Sequence, residues 1–171
     1  MGDARLALAA LRHEIHLPSE ELKQVEQYMH QPTPRIALGL QLRGIATAAL
    51  DVSDGLLNAL RHIMSQSQLD AEIQLDQLPQ STTLQKQEMS IQNQFAACGG
   101  ADYEICFTTL VNHRDQVAEI GNSLNPPLTL IGKTLPRRGI EAKIDLLNSS
   151  EELLSDAEAA TFLNSFDHFA S

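Results

Sequence analysis

No run of apolar residues in this sequence approaches the 18 or so that a membrane-spanning helix needs. No basic segment followed by a continuous apolar core opens it, so no secretory leader is expected. Cysteine is scarce, at Cys98 and Cys106 alone, and the two read as reduced thiols in a cytoplasmic chain rather than as a bridge. Positive charge is scarce as well. Twelve Lys and Arg stand against 22 Asp and Glu, for a formal net charge of −10. The cations Arg35, Arg43, Lys133, Arg137 and Arg138 are scattered and form no basic stripe. Nucleic acid and anionic membranes are therefore not expected as partners. There is no G-x-x-x-x-G-K-[ST] loop, which excludes a P-loop nucleotide site. No local signature of a Ser/His/Asp or Cys nucleophile is present. His13 and His16 stand one helical turn apart, with no further metal-ligating cluster near them in sequence.

What remains is an ordinary soluble composition, 43% hydrophobic and 20% charged over 171 residues. It fits one globular domain. An acidic chain of this kind still binds polyphosphates where Mg²⁺ intervenes.

Apolar spacing predicts helices over 4–16 and 19–29, with Leu6, Leu8, Leu11 and Ile15 on one stripe and Leu22, Val25 and Met29 on the next. Pro18 separates them. Pro32 and Pro34 make a rigid turn before a third helix that ends near Gly44. Residues 45–52 read as a buried strand. A helix with Leu56, Leu57, Leu60, Ile63 and Met64 on one face follows. Further strands are expected at 71–75, 102–109, 128–134 and 140–146, with a helix at 112–123 and short helices within 80–97. Residues 151–164 are acidic and partly helical in pattern. The tail carries Phe162, Phe166 and Phe169, although aromatic residues are only 4% of the chain. The order of elements implies an α/β (α+β) fold, a mixed β-sheet flanked by helices.

Two constellations carry chemistry. Asp51, Ser53 and Asp54 crowd the turn between the strand at 45–52 and the helix behind it. Ser53 or Asp54 can cap that helix. The same groups also suit a metal–phosphate site, because carboxylates are hard ligands for Mg²⁺ and a helix N-terminus favours phosphate. Both readings stand. Gly99-Gly100-Ala101-Asp102-Tyr103-Glu104 is the second constellation. A strand from 102 would put Asp102 and Glu104 on one face, for a metal or a ligand's amino group, or simply as a solvated strand end. In the tail, Phe162 and Phe169 read as cover for an apolar edge, while a ring at the mouth of a site could stack on a heteroaromatic ligand.

Taken together, Pro32-x-Pro34-Arg35, Leu50-Asp51-Val52-Ser53-Asp54-Gly55-Leu56, Gly99-Gly100-x-Asp102-Tyr103-Glu104 and Phe166-Asp167-His168-Phe169 resemble the thiamine-monophosphate kinase family. Order and spacing match the C-terminal half of that enzyme. The family sits in a superfamily with aminoimidazole ribonucleotide synthetase, selenophosphate synthetase and a hydrogenase-maturation protein. The resemblance implies a C-terminal domain of that type over 1–171. It also implies that the family's N-terminal domain, which supplies most Mg²⁺ and ATP contacts and the interface of a homodimer, is absent from this sequence. The implied reaction uses ATP to convert thiamine phosphate to thiamine diphosphate by direct transfer.

Carried over by motif, Asp51 and Asp54 are implied Mg²⁺ ligands and Ser53 an implied nucleotide contact. Ala101, Asp102, Glu104 and Phe166 are implied substrate contacts. Ala101 stands where the family usually has Glu, so Asp102 or Glu104 is left to take that contact. No separate catalytic side chain is implied, since alignment and Mg²⁺ carry such a transfer. Two alternatives remain: a non-catalytic substrate-binding or structural module, and another superfamily enzyme such as a purine-biosynthesis synthetase.

Overall fold

A computed structural model describes residues 1–124 and 128–163 of the chain. It begins with three helices, α1 (Asp3–Leu11), α2 (Ser19–His30) and α3 (Ile36–Gln41). The first is five residues shorter at its C-terminal end than its apolar spacing predicts. His13 takes φ 60°. Its N–H donates to Ala10 O at 3.0 Å, and the Glu14 N–H reaches back to Ala9 O at 2.9 Å. This is a Schellman stop made without glycine. Leu11 is consequently exposed, while Ala7, Ala9 and Ala10 are buried with Leu6. Helix α1 packs against α2, which buries Val25.

Strand β1 (Ala46–Val52) leads through a short turn into α4 (Leu56–Ser67). Leu56, Leu57, Leu60, Ile63 and Met64 are buried as the spacing predicts, together with Ala59. Each of the larger ones contributes about 2 kcal/mol of burial. Strand β2 (Leu69–Gln74) follows, then two 3₁₀ turns at Leu75–Gln77 and Leu84–Lys86, then α5 (Met89–Cys98), so that the short helices expected within 80–97 are the second 3₁₀ turn and α5. Strand β3 (Glu104–Thr109), α6 (Arg114–Ser123), β4 (Gly132–Pro136), β5 (Ile144–Leu147) and α7 (Asp156–Leu163) complete the described elements.

The mixed sheet flanked by helices is present as β4-β2-β5, with β2 antiparallel to β4 and parallel to β5. Strands β1 and β3 form a separate antiparallel ribbon in which Leu50 faces Cys106 and Val52 faces Glu104. Helix α4 packs on both, touching β1, β2 and α5. The main core lies around it, with Leu6, Val25, Val52, Met64, Leu84 and Leu146 among its members. A smaller cluster of Leu38, Leu42, Ile45 and Ile120 supports Ile105 and Phe107 of the ribbon.

The last two strands each begin four residues later than expected, at Gly132 and Ile144, and a buried carboxylate organises the turn that delays the second of them. Asp70, fully buried on β2, accepts from the Arg138 and Lys143 backbone N–H groups and from Arg138 Nε, at 2.9–3.0 Å. Arg138 also reaches Asp145 at 2.7 Å. The Lys143 amide and Arg138 hold the Asp70 carboxyl down to a pKa of about 2. Among the described residues, no helix is long and apolar enough to cross a membrane.

Candidate functional site

Strand β1 ends at Val52 and α4 starts at Leu56, so Ser53, Asp54 and Gly55 make the whole turn. The cap position falls to Gly55, at φ 92° and ψ 151°. The N-cap residue is therefore neither Ser53 nor Asp54, which stand two and one positions before it. Gly55 is required there on two grounds. Its backbone lies in a region that residues with a Cβ avoid. A Cβ would also sit 2.7 Å from the carbonyl oxygen of Cys98, the last residue of α5. Helix α4 thus presents its N-terminus beside the exposed Asp51 and Asp54 and the half-buried Ser53. The Asn58 side chain ties the turn down by donating to Asp54 O at 2.9 Å.

The second constellation comes to the same place. Gly99 follows α5 so closely that a Cβ on it would meet Phe95 O at 2.3 Å. The chain then runs back along the end of β1. The Ala101 N–H donates to Ser53 O at 2.7 Å and the Tyr103 N–H to Val52 O at 2.9 Å. Ala101 and Tyr103 both have positive φ, 65° and 51°. Strand β3 therefore begins at Glu104, not at 102. The expectation that Asp102 and Glu104 share one strand face fails, because the left-handed turn at Tyr103 breaks the alternation.

Both carboxylates have protein partners. Each oxygen of Asp102 accepts from the Gly2 N–H at 2.9 Å. Glu104 accepts from Arg35 Nε at 2.8 Å and from Nη2 at 2.5 Å, a two-pronged pair across 69 residues. Asp3, next to Gly2, is buried and accepts from the Ser81 hydroxyl at 2.6 Å. Sequence reasoning quoted Arg35 within a motif without giving it a task, and it gave Gly2 none. Nothing in a linear sequence pairs positions so far apart.

Burial pushes the Asp102 carboxyl up to about 6, against the opposing pull of the chain's α-ammonium and the Gly2 N–H. The folded chain then holds this proton more tightly than the unfolded one. The stability Asp102 contributes is fully present below 3.8 and is lost as pH rises through about 6. Thermal melts across this window should show it: Asp102→Asn is expected to flatten the rise in Tm that wild type shows on acidification. An unchanged slope would contradict the burial account.

Asp51 and Asp54 supply hard oxygen donors. Among the described residues, no group of three or more His, Cys, Asp and Glu is placed to hold a metal by itself. A pair of carboxylates suits Mg²⁺, which binds through one or two of them and completes its shell with water and phosphate oxygens. Phe166 lies outside the described residues, as do Asp167, His168 and Phe169. Phe162 packs half-buried against the core, an apolar cover as expected.

Comparison with known proteins places these features in context. The family model described as AIR synthase related protein, C-terminal domain, matches residues 5–145. A thiamine-monophosphate kinase of Haemophilus influenzae is 40% identical over 148 residues, which is 85% of this chain and 43% of that protein. Among solved structures, the thiamine-monophosphate kinase of Stenotrophomonas maltophilia K279a is 36% identical with a TM-score of 0.76, covering 85% of this chain and 47% of that one. A structure of AaThiL complexed with AMPPCP and TMP is 26% identical with a TM-score of 0.66, covering 85% and 44%. The chain spans about half the length of the curated relatives it matches.

Proposed function

The chain belongs to the AIR synthase related family as its C-terminal domain, and from that premise we propose that it is the substrate-side half of a thiamine-phosphate kinase. The whole enzyme would use ATP to phosphorylate thiamine phosphate to thiamine diphosphate. A preceding half, comparable in length to this chain, would bring most of the nucleotide and metal contacts and the interface of a homodimer. The observation that carries the reading is the joining of the two motifs. The Ala101 N–H on Ser53 O sets the glycine-rich loop against the acidic turn and the N-terminus of α4.

In this reading Asp51 and Asp54 hold Mg²⁺, which when bound neutralises phosphate charge. The Ser53 hydroxyl and the α4 N-terminus take nucleotide phosphate, because helix N–H groups and the helix dipole both favour an anion. Ala101, Asp102 and Glu104 belong to the loop on the thiamine phosphate side, Glu104 acting through the backbone it holds, and the motif match assigns Phe166 to the thiamine ring. No side chain here needs to shuttle a proton or act as a nucleophile. The residues of this chain fix the donor and acceptor in line, and such a transfer depends chiefly on alignment and charge neutralisation.

Calorimetric titration tests the reading. Thiamine phosphate is expected to bind this chain in the presence of Mg²⁺ and to lose that binding with a chelator. Tight binding of an aminoimidazole ribonucleotide precursor in place of thiamine phosphate would support a purine-biosynthesis synthetase instead. A folded chain that binds neither would be a scaffold.

A further inference from the structure

We propose that Arg35 is a positioning residue for the site: its guanidinium grips Glu104 and so fixes the Ala101–Tyr103 backbone against the Ser53 turn. This rests on the reading that the turn and the loop together form the ligand site.

The pair is built for orientation. Both Glu104 oxygens accept from Arg35 through two nitrogens, at 2.8 and 2.5 Å. A planar fork of this kind sets direction as well as distance. The Arg35 side chain is only 16% exposed, so solvent competes little for it. Its base is fixed too. Arg35 directly follows Pro32-Thr33-Pro34, whose ring-locked φ angles limit the freedom of the arm. It also opens α3, which Leu38 anchors in the smaller core.

The loop needs such a grip. Two non-glycine residues out of three hold positive φ, a conformation that persists only where the surroundings enforce it. Asp102 secures the loop through the Gly2 N–H, and Glu104 secures its exit into β3. Between these anchors the Ala101 and Tyr103 amides meet Ser53 O and Val52 O. Glu104, with both oxygens on Arg35, acts on a ligand through the backbone it holds.

Amide exchange read by NMR, paired with calorimetry, tests this on the chain itself. In Arg35→Ala, protection of the Ala101 and Tyr103 amides is expected to fall by about tenfold or more, with α4 and β2 amides unchanged. Affinity for thiamine phosphate with Mg²⁺ should fall with it. Millimolar guanidinium is expected to restore both. Arg35→Lys, which keeps the charge and loses the fork, should fall between wild type and Arg35→Ala, and it supplies the test if the alanine variant does not fold. Lys86→Ala, which removes a surface ion pair with Glu21, should change neither readout. Loop protection equal to wild type, or a loss spread evenly over the whole chain, would overturn the positioning role. So would a wild-type chain that binds thiamine phosphate and an Arg35→Ala chain that binds it equally well. A wild-type chain that binds none would overturn the underlying functional reading, whatever the exchange pattern shows.

Discussion

Asp51→Asn and Asp54→Asn are each expected to lower turnover by roughly 100-fold or more, with folding intact. The assay uses this chain fused behind the preceding half of the Haemophilus influenzae relative. The large effect follows from the site's economy of charge. The chain places two carboxylates at this turn, and among the described residues no third metal-ligating side chain stands ready to substitute. An amide keeps the shape of the side chain and removes the anionic oxygen that a hard cation needs. The small effect on folding follows from exposure. Asp51 lies on an exposed position of the ribbon and Asp54 is exposed in the turn. Substitutions at such positions usually shift stability by no more than about 0.5 kcal/mol. Raising Mg²⁺ should recover part of the lost rate. Normal turnover in both variants would remove the metal role from this turn.

Gly55→Ala carries the largest expected cost in stability, about 3 kcal/mol or more, read from the denaturant midpoint. Two penalties coincide there. The backbone at φ 92° and ψ 151° excludes an L side chain, and the added methyl meets backbone, the Cys98 carbonyl, at 2.7 Å. Neither α4 nor α5 yields cheaply, because Leu56, Leu57, Ala96 and Ala97 are buried on either side of the contact. Ligand affinity should fall further than stability alone requires, since any relief moves the α4 N-terminus away from Ser53. Gly139→Ala is the control: nothing lies within 4 Å of its added Cβ, and its midpoint should stay near that of wild type. Equal midpoints for Gly55→Ala and wild type would mean that α5 does not brace the turn.

These two sites also show what a single sequence reveals. The strand-turn-helix around Asp51–Asp54 was readable because each part has a local cause: a short, largely apolar run from Ile45 to Val52, then Leu at helical spacing from Leu56. The strand is not buried throughout as expected, since Thr47, Ala49 and Asp51 are exposed and only Val52 is buried. The burial of α4 followed from the same spacing. The end of α1 was not readable, because the stop at His13 uses a left-handed residue without glycine. Nor was the start of β3, since the composition of 102–109 suits a strand throughout. Only the tertiary anchors on Asp102 and Glu104 turn its first two residues into a loop. Arg35–Glu104 and Gly2–Asp102 join positions 69 and 100 apart. The buried Asp70 that reshapes the β4–β5 turn stood in an unremarkable polar position of its strand. The two motifs were legible as motifs, and the forces that hold them were not.

The most direct measurement is thiamine diphosphate formation from Mg-ATP and thiamine phosphate, run in parallel on two proteins. One is this chain alone, verified as folded by circular dichroism. The other is the chain fused behind the preceding half of the Haemophilus influenzae relative. The account predicts no product from the chain alone and product from the fusion, abolished by Asp51→Asn. Product from the chain alone would show a site complete within these residues and contradict the half-enzyme reading. No product from a folded fusion that binds Mg-ATP would contradict the kinase itself.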